Sequence, residues 1–283
     1  MALFGRKDKD APPPVVPPPP PPLPVPPFAP DPVAPGGPVA FAGEDPLGVL
    51  AGHGVAVPGD AERLLAATDR PIWTVPVADE YAGIELWTAV RDVFERTGLW
   101  PVLVDDGFWE TTAFVGLEEE PEPVGEVDAA QWLTAAAADA QHGLTQYGRG
   151  PVPAVAASDP SDWADQIAEG HDRPDHLLLV PCAAGWEVPG RLGWSGAVNQ
   201  GVEGDEHTAV LRRWHGFWGA EIVAMGLDTL TLRVSAPPAT TTDALALATE
   251  MALYCADSVF QGVGTIDALV PMAVSGAWTF WWD

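Results

Sequence analysis

Proline occupies sixteen of the 27 positions from Pro12 to Pro38, in runs such as PPPPPPLPVPP. Proline fixes φ and has no backbone N–H, so this stretch can form neither a helix nor a ladder of strand hydrogen bonds. We expect polyproline II, a semi-rigid and solvated conformation. Residues 1–40 are therefore predicted to be a disordered proline-rich arm. The alternative is that the P-x-x-P spacing docks into an aromatic groove of another protein.

Strand and helix patterns alternate after the arm. The segments WTVPVA (73–78) and LWPVLV (99–104) are apolar runs typical of strands, and residues 84–96 between them place their apolar side chains on one helical face. Gly98 ends that helix, because glycine readily adopts the left-handed conformation of a C-terminal cap. This order predicts a βαβ-like unit, and HLLLVP (176–181) predicts a further buried strand.

The C-terminal part of the chain has the clearest patterns. A helix over 206–218 precedes AEIVAM and TLTLRV, which a short loop with Gly226 joins into a predicted hairpin. The alternation in TLTLRV is typical of a half-exposed antiparallel strand. In the final WTFWWD, Trp278, Phe280 and Trp282 share one face. We predict that this segment is a core strand; an exposed aromatic platform is the alternative.

Together these patterns predict an α+β fold, in which a mixed or antiparallel sheet with flanking helices follows the disordered arm. The glycine-rich segment that begins at residue 185 is interpreted as the junction between two halves. The predicted domains are the arm (1–40), an N-terminal α/β region (41–184) and a C-terminal α+β domain (185–283).

Acidic residues dominate the charge of the folded part. The chain carries a net charge of −27 and the arm is neutral, so all of this charge falls on residues 41–283. Such a body repels phosphate backbones and attracts basic partners, although acidity can also serve solubility alone. No lysine follows Lys9, which excludes phosphate-loop, Schiff-base and kinase lysines from the fold. We expect a basic protein partner and no nucleic acid.

Cysteine content and the N-terminal segment predict the compartment. Cys182 and Cys255 lie in a chain large enough to form its own core, which favours free thiols in a reducing environment. The opening MALFGRKDKD lacks the apolar stretch of a secretory signal, and no window reaches the roughly 18 apolar residues of a membrane span. We expect a cytoplasmic protein that neither contacts membranes nor requires a cofactor.

Several C-terminal segments resemble a known family. They are LGWSGAVN (192–199), VLRRWHGFWGAEIV (210–223), GLDTLTLRV (226–234), APP (236–238), CADSVFQG (255–262) and WTFWWD (278–283). These segments are similar to domain of unknown function 4253, an uncharacterised bacterial family common in actinobacteria. The residues LWTAVRDVFERTGLWPVLV (86–104) look like the segment that often precedes this domain. The resemblance implies a domain boundary and carries no activity with it.

Carboxylates directly after a predicted strand are candidates for a binding site. Asp105 and Asp106 follow 99–104, at the strand end where open α/β sheets often place ligands. Paired carboxylates can act as acid and base or hold a cation, and a solvated turn explains them as well. The candidate binding residues are Asp105, Asp106, Asn199, Arg212 and Trp214.

The loop HDRPDH (171–176) gathers two histidines and two aspartates, ligand types that suit zinc and other divalent ions. Its spacing matches no metal motif, so an ordinary loop is the alternative. The candidate metal ligands are His171, Asp175 and His176.

No catalytic residue is predicted. The segment GWSGA (193–197) lacks the second glycine of a nucleophile elbow and is interpreted as a turn. Asp243, Glu250 and Asp257 are seven residues apart and share one helical face, opposite Cys255. We therefore predict a solvated acidic stripe and an inert core thiol.

These features favour an acidic cytoplasmic protein-interaction module over an enzyme. The module would be an adaptor or an immunity-like antagonist of a basic partner. The alternative is a metal-assisted hydrolase, or a small-molecule-binding domain, with carboxylates near Asp105 or His171. An aromatic pocket built from some of the thirteen tryptophans is a further form of the small-molecule hypothesis.

Overall fold

The computed structural model describes residues 28–33, 36–64, 71–110, 127–139, 143–154, 162–170 and 173–283. These residues form seven strands: β1 (Glu62–Arg63), β2 (Trp73–Pro76), β3 (Leu99–Val104), β4 (His176–Pro181), β5 (Ala220–Met225), β6 (Thr229–Val234) and β7 (Ala277–Trp281). They also form eight α-helices: α1 (Pro46–Gly52), α2 (Glu80–Thr97), α3 (Ala129–Ala138), α4 (Trp163–Gly170), α5 (Val188–Leu192), α6 (Gly204–Trp218), α7 (Thr241–Tyr254) and α8 (Val270–Ala273). A π-helix (Ser258–Val263) and short 3-10 helices, among them Gly185–Glu187, connect some of these elements. None of the described helices is both long and apolar enough to span a bilayer.

All seven strands belong to one mixed sheet, in the order β1-β2-β4-β3-β5-β6-β7. Most neighbours are antiparallel, and β3 and β5 form the parallel pair. The predicted α+β class, with a mixed sheet and flanking helices, is confirmed. The sheet joins β3 of the N-terminal half to β5 of the C-terminal half, and the predicted division after residue 184 stays a prediction.

The βαβ-like unit has an extra strand at its centre. Strands β2 and β3 both pair antiparallel with β4, so they run parallel to each other with β4 between them. Helix α2 connects them, which makes the arrangement a split βαβ unit. Strand β3 is buried along its whole length, as its continuous apolar sequence predicts.

The hairpin formed by β5 and β6 is confirmed, but β6 is not half-exposed. Leu230 and Leu232 lie opposite the aromatic residues of β7, and Thr231 and Arg233 lie on the other face. Thr231 is buried, and the Arg233 guanidinium lies over the rings of Trp87 and Trp163, each 5.4 Å away. Helices α2 and α4 cover this second face, so the polar side chains of β6 are enclosed.

The last strand lies in the core, as predicted. Trp278, Phe280 and Trp282 are each at most 1% exposed. The Trp214 ring of α6 packs between them and α7, with ring centroids 5.6 Å from Trp278 and 5.4 Å from Phe280. Each buried aromatic side chain contributes on the order of 2–3 kcal/mol, so this cluster fixes β7 beneath α6 and α7.

The chain contacts the folded body at the point where the predicted arm ends. The Phe41 N–H donates to the Gly98 carbonyl over 3.2 Å, and the Phe41 ring meets Trp73 edge-on at 5.5 Å. Gly98 has φ of +66°, and a Cβ there would overlap the chain between Val39 and Phe41. Glycine is therefore needed both for the helix end and for this crossing. The rest of the predicted arm, residues 1–27 and 34–35, lies outside the described residues.

Candidate functional site

A cavity lies where β3 and β5 separate. Their parallel pairing covers only Leu103 with Ala224 and Val104 with Met225, at the C-terminal ends of both strands. Towards their N-terminal ends the strands diverge, and the Trp100 indole N–H donates to the Ile222 carbonyl across the gap, over 3.2 Å. This side chain satisfies a backbone acceptor that sheet pairing leaves free, and the gap becomes a cavity.

The cavity, called the pocket below, has a volume of about 220 Å³. Its lining comes from the N-terminal segment, α2, β3, the 3-10 helix Gly185–Glu187, α6 and β5. The lining residues are Gly36, Gly37, Arg91, Phe94, Glu95, Trp100, Ala183, Ala184, Gly185, Trp186, Leu211, His215, Ala220, Glu221 and Ile222.

Glu221 and Arg91 line one side of the pocket, and Glu221 lies between two guanidinium groups. Arg91 donates from Nε and Nη2 to Glu221 Oε1, over 2.9 and 2.5 Å. On the neighbouring strand, Arg233 is the direct partner of Glu221, and its Nη2 lies 3.1 Å from Glu221 Oε2. We call Arg91, Glu221 and Arg233 the pocket cluster. Glu221 is buried, whereas the side chains of Arg91 and Arg233 are 19% and 24% exposed.

Aromatic rings hold Arg91 in place. Its guanidinium carbon lies 4.9 Å from the Trp100 ring centroid and 5.6 Å from that of Phe94, distances at which a cation is attracted to the ring face. Gly185 packs directly on the indole, and a Cβ at this position would overlap Trp100. The floor of the pocket is therefore rigid and largely apolar.

His215 supplies a hydrogen-bond acceptor at the pocket. It lies in the last turn of α6, where its Nδ1 is 3.1 Å from the Ala220 carbonyl oxygen. A carbonyl oxygen can only accept, so Nδ1 carries the proton and, in the neutral ring, Nε2 keeps its lone pair. The ring packs on Trp186 at 4.8 Å. His215 Nε2 has no hydrogen bond to any described residue.

The charges around the pocket nearly cancel. Arg91 and Arg233 offset Glu221 and Glu95, the last of which lies 4.0 Å from Arg91. No described nucleophile is available beside His215: the nearby Cys182 is fully buried, and burial raises the pKa of its thiol. The arrangement can hold a small neutral molecule between aromatic rings and accept one hydrogen bond from it.

A second arginine–glutamate cluster lies between α6 and α7. Arg213 donates from Nε and Nη2 to Glu250, over 3.1 and 2.8 Å, and the Trp214 indole N–H donates to the same carboxylate over 2.9 Å. Asp31 lies 2.8 Å from Arg213 Nη1. We call these four residues the sealed cluster. Burial lowers the pKa of Arg213, and the bonds and charges of Glu250 and Asp31 more than offset this, so the net shift is upward.

The predicted solvated stripe of Asp243, Glu250 and Asp257 is therefore wrong for two of its three members. Glu250 and Asp257 are buried, and Asp243 is exposed as predicted. Asp257 accepts hydrogen bonds from Gln200, Gln261 (3.1 Å) and the Asp283 N–H (2.9 Å). Helical spacing identifies a shared face but not what covers it. Cys255 is buried and burial raises the pKa of its thiol, which confirms the core-thiol interpretation.

Asp105 and Asp106 lie after β3, away from the pocket. Asp105 Oδ1 accepts the Phe108 N–H over 2.9 Å in a turn, and Asp106 is exposed. Asp105 lines a smaller cavity of about 20 Å³ with Glu80, Thr229 and Thr231 among others. A cavity of that size holds about one water molecule, so it does not offer room for an organic ligand.

The other candidate binding residues do not gather around one site. Asn199 is exposed and donates to the Asp283 carbonyl. The Arg212 guanidinium donates to the Val127 carbonyl over 3.3 Å. Trp214 is fully buried within the sealed cluster. The turn interpretation of 193–197 agrees with its position in the turn after α5.

Two of the three candidate metal ligands are described. Asp175 Oδ1 and His176 Nδ1 lie 2.8 Å apart, and the His176 ring meets Trp109 edge-on at 5.6 Å. His171 lies outside the described residues. Within the part of the chain that the structure describes, no three histidine, cysteine or carboxylate side chains come together as metal ligands. The metal-assisted hydrolase stays a prediction.

An aromatic enclosure surrounds a buried histidine. His207 is fully buried, with Nδ1 2.6 Å from the Tyr254 hydroxyl, and its ring centroid lies 5.0 Å from Trp194 and 5.7 Å from Trp282. Its Nε2 has no hydrogen-bond partner among the described residues. Burial lowers the pKa of His207 to about 3 and raises that of Tyr254.

Sequence reasoning did not find the pocket, although one signal was present. Glu221 is a single carboxylate within the apolar strand AEIVAM, and a buried charge requires a partner. Ten arginines supply every cation after residue 41, which limits the choice of partner. The choice between them depends on tertiary structure, because Arg91 is 130 residues away.

The fold thus defines a protein with a mixed seven-stranded sheet and a cavity of about 220 Å³ between β3 and β5. Residues 176–283 match the model of a family described as "Domain of unknown function (DUF4253)". The match contains Trp186, His215 and Glu221, whereas Arg91 and Trp100 come from the chain that precedes it. Neither curated proteins nor solved structures gave a match.

Proposed function

We propose that this protein is a small-molecule-binding domain and that the ligand occupies the pocket between β3 and β5. The observation that carries the proposal is His215, which lines a cavity of about 220 Å³ beside Trp186 and whose Nε2 has no described partner. Ligand sites are concave and mostly apolar, with a few fixed polar groups, and they favour domain junctions.

The size and charge of the pocket restrict the ligand. Pockets for drug-sized molecules span about 300–1,000 Å³, so this one fits a small ring compound. The near cancellation of Arg91 and Arg233 by Glu221 and Glu95 favours a neutral ligand. His215 Nε2 requires an N–H or O–H donor. A small, neutral aromatic compound with one donor satisfies all three conditions.

Indole and benzofuran form a matched pair that tests this chemistry. They have the same shape, and only indole carries an N–H donor. We expect indole to bind about tenfold more tightly, the effect of one hydrogen bond, when saturation-transfer NMR titrations compare the two. His215→Asn keeps a donor for the Ala220 carbonyl and lacks Nε2, so it should remove the difference. His53→Asn, at an exposed histidine, is the control.

Two results would count against the proposal. If neither compound saturates the full chain, the pocket does not take small aromatic molecules. If indole binds but His215→Asn leaves its preference over benzofuran unchanged, the compound binds elsewhere.

The acidic charge supports a second candidate function. We propose, as an independent hypothesis, that residues 41–283 bind a basic protein in an actinobacterial cytoplasm, as an adaptor or an immunity-like antagonist. The net charge of −27 would accelerate encounter with such a partner. Affinity capture with the full chain, washed at increasing salt and followed by mass spectrometry, tests this. A stoichiometric basic protein released at high salt is expected, and its absence contradicts the hypothesis.

A further inference from the structure

The chain's own N-terminal segment occupies a polar surface on α6 and α3. Arg213 Nη1 donates to the Ala29 carbonyl over 2.6 Å and to Asp31 Oδ1 over 2.8 Å. Asp31 Oδ2 accepts the Ala129 N–H, in the first turn of α3, over 2.9 Å. One aspartate of the segment Phe28–Val33 thus connects to two helices that are distant in sequence.

This surface is organised independently of the segment. Arg213 is oriented by its two bonds to Glu250, and neither bond involves the segment. Its guanidinium also lies 4.9 Å from the Phe217 ring centroid. At Gly216 a Cβ would overlap the Pro32 ring, so the helix leaves room for that proline. The surface therefore fits an extended segment in which a proline follows an aspartate.

The same segment leads to the pocket. Gly36 and Gly37 line the pocket, and a Cβ at Gly37 would overlap the Ala183 carbonyl. Val33 and Gly36 are three residues apart, which limits their separation to about 11 Å. Phe41 fixes the other end at Gly98. A docked Asp31 and a fixed Phe41 together restrict the positions that Gly36 and Gly37 can occupy.

We propose that α6 and α3 form a docking site for residues 28–33, and that this docking holds Gly36 and Gly37 over the pocket. Release of Asp31 from Arg213 opens the pocket, and rebinding closes it. The regulatory part of this inference rests on the proposed ligand-binding function. The docking itself does not, because its contacts lie outside the pocket.

A fluorophore at residue 36 reports the docking without any ligand. A Cβ at Gly36 meets no atom within 4 Å, so Gly36→Cys is tolerated. Cys182 and Cys255 are buried and burial raises the pKa of both thiols. A bimane reagent therefore labels the new thiol selectively, and Trp186 at the pocket quenches bimane by contact. Trp186→Phe provides the unquenched reference.

Asp31→Asn removes the charge that meets Arg213, and Pro32→Gly removes the ring that packs on Gly216. Loss of a charge-assisted hydrogen bond should shift docking towards release by about tenfold. We expect both variants to raise bimane emission towards the Trp186→Phe level. Asp60→Asn, at an exposed aspartate with no described partner, should leave emission unchanged. Far-UV circular dichroism of each labelled chain verifies that the fold is retained.

Folded variants whose emission stays at the parent level would overturn the docking proposal. Indole titrations of the same chains separate the two proposals. If emission rises but indole binds none of the chains, the docking stands and the proposed ligand class fails. If emission rises and indole associates at the same rate with Asp31→Asn and its parent, docking does not control access.

Discussion

The fold contains two arginine–glutamate clusters that differ in what surrounds them. In the sealed cluster, helices α6 and α7 and the N-terminal segment enclose Arg213, which is 2% exposed. In the pocket cluster, Glu221 is buried and lines the cavity together with Arg91, and the side chains of Arg91 and Arg233 are 19% and 24% exposed. In the sealed cluster, Arg213 is paired with both Glu250 and Asp31. The pocket cluster instead lies beside a cavity.

The difference shows how one type of ion pair can serve two purposes. Desolvation of a buried pair is costly, and it is offset only when good geometry and extra hydrogen bonds satisfy both ions. Arg213 has such bonds to Glu250, Asp31 and the Ala29 carbonyl. The pocket cluster has fewer, and stacking of Arg91 on Trp100 compensates in part. Because the pocket cluster is incompletely enclosed, a cavity remains beside Arg91 and Glu221.

The largest expected effect comes from Glu250→Gln. The substitution leaves Arg213 with Asp31 as its remaining anion, in a site with little access to water. We expect the free energy of unfolding to fall by about 3 kcal/mol, measured by urea denaturation. Glu85→Gln, at an exposed position on α2, should stay within about 0.5 kcal/mol of the parent. A loss as small as that of the control would mean that water reaches the sealed cluster.

A pH titration tests enclosure at a second buried site, His207. Its pKa is about 3 in the folded protein and 6.5 in the unfolded reference. The unfolded chain therefore takes up the proton first as the pH falls. The contribution is complete above pH 6.5 and decreases towards pH 3, by about 1.4 kcal/mol per unit. His207→Asn preserves a group opposite the Tyr254 hydroxyl and should flatten this slope.

The measurement is the difference in unfolding free energy between parent and His207→Asn at pH 6.5 and at about pH 4.5. The difference between the two unfolding free energies cancels the contribution of the other titratable groups, because both chains contain them. His53→Asn should follow the parent at both pH values. If the unfolding free energies of the parent and His207→Asn change in parallel with pH, the His207 imidazole takes up its proton as readily in the folded protein as in the unfolded chain.

Glu221→Gln, the same substitution in the pocket cluster, should have a smaller effect than Glu250→Gln. Arg91 and Arg233 both reach solvent in part, and each stays over an aromatic ring when the carboxylate is lost. We expect the free energy of unfolding to fall by about 1–2 kcal/mol. The free energy of unfolding is again measured by urea denaturation. A decrease as large as that of Glu250→Gln would mean that the two clusters do not differ in enclosure.

The parts of the fold that sequence patterns predicted are those governed by local periodicity. Apolar runs identified β3 and β4, and alternation placed Trp278, Phe280 and Trp282 on the buried face of β7. These patterns report which side chains share a face. They failed for Glu250 and for the polar face of β6, because a helix from elsewhere in the chain covers each.

The candidate site was not predictable by the same reasoning. Asp105 is predicted as a binding residue because it follows a strand, and open parallel sheets often bind ligands at the carboxyl ends of their strands. In this fold β3 and β5 form the parallel pair. A turn follows the C-terminal end of β3, and in it the Asp105 carboxylate accepts the Phe108 N–H. The cavity opens at the opposite ends of these strands. No local pattern indicates where two paired strands diverge.

Ionic strength gives the smallest expected effect and the most direct comparison of the clusters. Between about 0.1 and 1 M salt the Debye length falls from about 10 to 3 Å, and buried pairs are screened less than exposed ones. The stability difference between parent and Glu221→Gln should therefore shrink by a few tenths of a kcal/mol, about the scale of a partly exposed ion pair. The difference for Glu250→Gln should stay constant. General effects of salt on folding cancel, because each value compares two chains in one buffer. If both differences shrink equally, the sealed cluster is open to ions, and the contrast between the two clusters lies in their partners alone.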